Sequence, residues 1–142
     1  MTKQTLTVKD YPVAERRPEL VRGARGKGLD EVSLGALRNG EASMEDLRIT
    51  PEALRRQASL ARDAGRANLA ANFERAAEMA SIPQDVIMSY YELLRPGRAK
   101  DKQTLMDAAA RLRKDHDAPL MAAFVEEAAD VYDRRGLFRF RY

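Results

Sequence analysis

From Leu54 onward apolar and small residues recur at steps of three and four, placing Leu54, Ala58, Ala61, Gly65, Leu69, Phe73, Ala76 and Ala80 on one helical face. Thr50-Pro51-Glu52 provides the start: a capping hydroxyl, a proline where a missing N–H costs nothing, and an acid in the positively polarised first turn. The spacing predicts a helix from Pro51 to about Ala80. About thirty residues span about 45 Å, whereas a compact chain of this length has a radius of gyration of about 14 Å. Such a helix either overhangs its own core and meets a partner, or breaks near Gly65, where glycine costs about 1 kcal/mol relative to alanine.

Ile82-Pro83 closes that element and opens a second helix of about 12 residues, marked by Val86, Ile87, Tyr90, Leu93 and Leu94 and stopped by Arg95-Pro96-Gly97. A third runs from about Asp101 to Lys114, with Leu105, Met106, Ala109 and Leu112 inward. Asp117 and Pro119 open a fourth, from about Ala118 to Arg135, with Leu120, Met121, Phe124, Val125, Ala128, Val131 and Tyr132 inward and Gly136 as its stop. Upstream, Ser33 caps a brief helix that ends at Gly40, and Ser43 caps a turn over Met44 to Leu47.

Residues 1–28 show neither helical nor strand period, and Pro12, Pro18, Gly23, Gly26 and Gly28 interrupt every window long enough for a free helix. They read as an irregular arm. Val8, Tyr11, Val13, Leu20 and Val21 give it apolar groups that need a larger surface, so the arm is expected at an assembly interface rather than in this domain's own core. At the other end Phe138, Phe140 and Tyr142 alternate with Arg139 and Arg141, which reads as a short extended tail leaning on a borrowed surface. The expected fold is all-α: four main helices in a small bundle, with residues 1–28 as the irregular arm and residues 29–142 as a helical domain ending in that tail.

Composition narrows the chemistry sharply. Of 142 residues none is Cys and one is His, His116, which excludes thiolate nucleophiles, Cys-bound zinc, iron–sulfur clusters and any relay needing a second imidazole. No run approaches the roughly 18 apolar residues of a membrane span, and the start lacks an apolar h-region, so a cytoplasmic protein is expected. Charge is unevenly placed: residues 1–28 carry a net of +4, Arg134 to Tyr142 four Arg and no acid, and residues 29–133 a net of −5. Basic ends of this kind steer a chain toward an anionic polymer or an acidic protein surface.

Each candidate site has a plainer structural reading. His116 between Asp115 and Asp117 could poise a base or a metal ligand, but it sits where a loop between two helices is expected and has no second ligand; the two acids read as caps of the fourth helix. Glu126, Glu127 and Asp130, and the pair Glu74 and Glu78, could hold a cation, yet charge on the outer face of an amphipathic helix explains them. Gly23-Ala24-Arg25-Gly26-Lys27-Gly28 lacks the preceding strand and the Lys-Ser/Thr of a phosphate loop, and reads as a basic turn. The basic arm and Arg/aromatic tail could bind nucleic acid by stacking and phosphate pairing, and a helical nucleic-acid-binding protein with basic termini is the alternative; the negative middle favours protein contacts instead.

Many positions together resemble one family. Asp10-Tyr11-Pro12, Gly26-Lys27, Gly40-Glu41, Leu47-Arg48-Ile49, Gln57-Ala58, Asn72-Phe73, Arg75-Ala76-Ala77-Glu78, Ile82-Pro83, Leu94-Arg95-Pro96 and Ala123-Phe124-Val125 are similar to the small (gamma) subunit of adenosylcobalamin-dependent glycerol and diol dehydratases, over nearly the whole chain. The resemblance implies a noncatalytic subunit that stabilises the large subunit of an enzyme carrying out radical dehydration of glycerol or a 1,2-diol to an aldehyde. It implies large (alpha) and medium (beta) partners in a dimer of heterotrimers, with adenosylcobalamin in the holoenzyme but not bound by this chain, and no nucleic acid or membrane. No catalytic, cofactor-binding or metal residue is carried over onto this sequence. Diol-dehydratase small subunits tend to carry a longer polar N-terminal extension linked to microcompartments, so the shorter glycerol-dehydratase type is the expectation.

Overall fold

The computed structural model describes residues 5–138. The described residues are helical without a strand, their one β-bridge being an isolated pairing of Arg22 with Gly28. They form two compact units, the first ending at Ala80 and the second beginning at Ser81.

In the first unit two short helices, α1 (Val13–Arg16) and α2 (Leu34–Arg38), precede α3 (Pro51–Asp63) and α4 (Ala67–Met79). Thr50 caps α3 as its sequence requires, its hydroxyl accepting from the Ala53 N–H at 3.1 Å, and Ser33 caps α2 on Ala36 in the same way. The single helix expected from Pro51 to Ala80 is broken at Gly65, which takes φ +73°. There the Arg66 N–H bonds the Ala61 carbonyl at 2.8 Å and the Gly65 N–H the Arg62 carbonyl at 3.0 Å, a paired left-handed stop that only glycine enters without strain. The helices fold back on each other through small residues: Ala58, Ala61 and Ala70 form a buried cluster with Phe73 against it. Arg62 donates to Glu74 across the pair at 2.7 Å.

The N-terminal arm is not detached from this unit. Leu6 and Val13 are buried with Leu60 of α3, and Leu20 and Val21 pack against that cluster. The Ser59 hydroxyl donates to the Leu6 carbonyl at 2.8 Å, and the Val8 N–H donates to Asp63 at 2.8 Å. The expectation that the arm's apolar groups lie outside the chain's own core is therefore corrected for Leu6 and Val13. α3 offers a side that α4 does not cover, and the arm fills it.

The second unit comprises α5 (Gln84–Leu93), α6 (Lys102–His116) and α7 (Pro119–Arg134). Leu105, Ala108, Ala109 and Leu112 of α6 are buried, as are Met121, Ala122, Val125 and Ala129 of α7, and the two helices pack together. Ion pairs flank that packing, from Arg113 to Glu126 and from Lys102 to Asp130. α5 joins through Tyr90, whose hydroxyl reaches the Ala108 carbonyl at 3.4 Å, and the Tyr132 hydroxyl donates to the Leu94 carbonyl.

Two expectations shift here. α6 continues through Asp115 and His116, and Asp117 ends it in the left-handed conformation (φ 48°) rather than capping α7; Ala118 holds that cap position and Pro119 begins the helix. Cations in the last turn of α6, Arg113 and Lys114, suit its negative end, so nothing stops the helix before Asp117. Leu120 and Phe124, expected inward, remain 44% and 42% exposed, because the α7 face that packs down is the one carrying Met121, Ala122, Val125 and Ala129. At the end of α7 Gly136 takes φ +65° and the Leu137 N–H bonds the Tyr132 carbonyl at 2.9 Å, with the Phe138 ring edge-on to Tyr132. Leu137 and Phe138 thus belong to a helix stop, and the remainder of the expected extended tail, residues 139–142, lies outside the described residues.

Candidate functional site

Residues 22–28 turn back on themselves. The Gly23 N–H donates to the Lys27 carbonyl at 2.9 Å and the Gly26 N–H to the Gly23 carbonyl at 2.9 Å, with Gly26 at φ +83°. The turn aims Arg25 at Asp46: the guanidinium Nε donates to Oδ1 at 2.8 Å and a terminal nitrogen donates to Oδ2. Asp46 Oδ2 also accepts from the Ser43 N–H at 2.9 Å. The Arg25 guanidinium, helped by that N–H, holds the buried Asp46 carboxyl down at about 2, against the desolvation that would raise it. Gly23 is required for this approach, since a Cβ there would lie 2.5 Å from the Asp46 carbonyl oxygen. The glycine-rich basic run is thus a turn tied to its own unit.

Asp46 of this clasp lines an apolar groove of about 470 Å³. It is lined by the arm with Tyr11, Pro12, Val13, Leu20 and Val21, by Leu29 just after the arm, by Leu47 and Ile49 of the segment leading into α3, and by Ala53 in the first turn of α3. Tyr11, Leu29, Leu47 and Ile49 are large, apolar and exposed, Ile49 by 60%. The same stretch of chain also presents Leu34 at 87% and Met44 at 74% exposure. Exposure of this extent on one segment marks an interaction surface rather than scattered surface leucines. The periodicity of residues 29–49 does not single it out; its available signal is that helical pieces of four or five residues cannot bury an apolar face.

The residues singled out for chemistry do not converge. Glu126 pairs with Arg113 and Asp130 with Lys102, so each carboxylate is held below its ordinary range by a cation rather than by a shared ligand. Glu74 accepts from Arg62. His116 is the half-buried last residue of α6. Among the described residues no group of three or more His, Cys, Asp and Glu is placed to hold a metal ion. In the arm, Arg17 donates to Glu19 at 2.7 Å and to Asp10 at 3.3 Å, and Arg25 is taken by Asp46, so two of the cations a nucleic-acid interface would need are already neutralised.

Comparison with known proteins identifies a family of enzyme subunits. The dehydratase small-subunit family matches residues 6–139. The chain is 46% identical to the propanediol dehydratase small subunit of Salmonella typhimurium over 134 residues, covering 94% of this chain and 77% of that protein. It is 47% identical to the propanediol dehydratase small subunit of Citrobacter freundii over 131 residues, covering 92% and 76% respectively.

Proposed function

Since this chain belongs to the dehydratase small-subunit family, we propose that it is the noncatalytic small subunit of a coenzyme B12-dependent glycerol/diol dehydratase and that it stabilises the large catalytic subunit. The observation that carries this reading is the exposed apolar segment and groove of the first unit, which a free-standing chain would not leave in water. The partners are the large and medium subunits, in a dimer of heterotrimers. The assembly dehydrates a vicinal diol, propane-1,2-diol or glycerol, to an aldehyde. It works in the cytoplasm.

Adenosylcobalamin supplies the radical chemistry of such an assembly and is held by the other chains. The groove of this chain, at about 470 Å³ and with no imidazole, thiol or thioether in its lining, supports placing the corrinoid on the other chains. This chain contributes surface and shape, and no catalytic, cofactor-binding or metal residue.

The test is co-expression with the cognate large and medium chains, followed by size exclusion in about 0.5 M salt, where ion pairing between exposed charges is screened. An assembly retaining all three chains supports the proposal. Loss of the small chain at that salt, or a DNA or RNA shift by the chain alone at physiological salt, overturns it.

A further inference from the structure

We infer that the groove between the N-terminal arm and the segment entering α3 seats one segment of the large subunit, and that this segment carries apolar side chains flanked by carboxylates. The inference rests on the proposed function above and adds the place and the chemistry of the contact. The apolar part follows from the lining: Tyr11, Leu29, Leu47 and Ile49 are exposed around a floor of Val13, Leu20 and Val21. The charge follows from which lining groups are already satisfied. Five charged residues line the groove: Arg22, Lys27, Asp46, Arg48 and Arg56. The one anion, Asp46, is taken by Arg25 and the Ser43 N–H.

None of the four cations makes an ion pair with a carboxylate among the described residues. Arg22 donates to the Gly26 carbonyl at 3.0 Å and Arg56 to the Leu20 carbonyl, both neutral acceptors. Lys27 interacts electrostatically with Asp46 without pairing directly, and Arg48 makes no ion pair among the described residues. Asp30 and Glu31 stand beside Gly28 near Arg22, and Glu19 and Glu52 share a neighbouring cleft with Arg22 and Arg56, but none of these acids lines the groove itself, which leaves its lining with a surplus of cations. An occupant with carboxylates beside its apolar residues complements both features at once, and complementary rim charge chiefly speeds association while apolar contact holds the complex. A second copy of this chain is the poorer occupant, since a two-fold contact through this face would set Lys27 and Arg48 against their own symmetry mates.

The test uses the co-expressed assembly of all three chains, with far-UV circular dichroism confirming helix content in each variant. Ile49→Asp is expected to weaken capture of the large chain by about 30-fold or more, as for a central apolar anchor. Lys27→Glu with Arg48→Glu is expected to slow association about tenfold at low salt, with the difference fading toward about 0.5 M. Leu47 replaced by a photoreactive benzoylphenylalanine is expected to cross-link to the large chain, and this arm keeps the test open should Ile49→Asp lose its helices. Tyr91→Asp, on α5 of the second unit, is expected to capture as wild type does. A cross-link to the medium chain or to a second copy, no cross-link within an intact assembly, or undiminished capture by folded Ile49→Asp overturns the groove assignment while leaving the subunit role standing. Failure of the wild-type chain to join any assembly overturns both.

Discussion

Leu6→Ala tests whether the N-terminal arm is structural. Leu6 is 1% exposed and shares a buried cluster with Val13 and Leu60, so truncation removes three buried carbons. At about 0.8 kcal/mol per carbon the transfer loss is about 2.4 kcal/mol, and a residual cavity adds to it. The cavity contribution is small here because the flanking Leu20 and Val21 are only partly buried and can settle inward. A total of about 3 kcal/mol is expected. Amide hydrogen exchange in α3 is a suitable readout, because it reports opening of the first unit separately from the second. Protection of the Leu60 and Ala61 amides should fall about 10²-fold, whereas Val8→Ala, at a position 49% exposed, should change it less than threefold. If Leu6→Ala behaves like Val8→Ala, the arm is not part of the folded core and the packing argument is wrong.

Other outcomes follow from the same geometry. Gly23→Ala places a Cβ against the Asp46 carbonyl and should lower the melting temperature of the chain by several degrees, consistent with more than about 1 kcal/mol; a neutral result would mean the turn is not held by Asp46. Gly65→Ala meets no atom within 4 Å, so its cost should be the backbone's alone, about 1–2 kcal/mol by denaturant unfolding, with Gly65→Asn recovering part of it. The Asp46 carboxyl titrates lower in the folded chain, at about 2, than its ordinary value of 3.8, so its contribution to stability is full above the ordinary value and is lost as pH falls through about 2. Asp46→Asn should therefore be less stable than wild type at pH 5, with the gap closing toward pH 2 in parallel denaturant titrations. Tyr132→Phe removes a donor to the Leu94 carbonyl and should cost about 1 kcal/mol, read as faster exchange in α7.

Much of the helical layout is legible in the residues, because caps and stops are local. Thr50, Ser33 and Asp101 accept the N–H bonds that their positions require, and Gly40 and Gly136 end helices where they stand. The break at Gly65 is harder to read because the three-and-four spacing runs straight through it: α3 and α4 each bury one face toward the other, so the stripe reads as continuous across a reversal. Length alone raised the conflict, and only tertiary packing of Ala58, Ala61 and Ala70 resolves it. The arm's burial was hidden for a different reason. Leu6 and Val13 follow no period, and what buries them is a side of α3 that has no sequence signature of its own. The groove was illegible as a site because no chemical motif marks it; its character lies in which apolar groups stay uncovered and which cations stay unmatched.

The clasp between Arg25 and Asp46 joins positions 21 apart in a chain that has no cysteine. It closes the loop that carries Leu29, Leu34, Leu37 and Met44, much as a covalent staple would, and shortens the free length of that loop at both ends. The conformational freedom of those side chains' backbone is thereby surrendered during folding instead of at the encounter with a partner. A rigid surface of this kind loses less entropy on association than a floppy one, so the same apolar contact yields a longer-lived complex. The clasp borders the groove through Asp46, so where the groove seats a partner the lifetime of that contact depends on it.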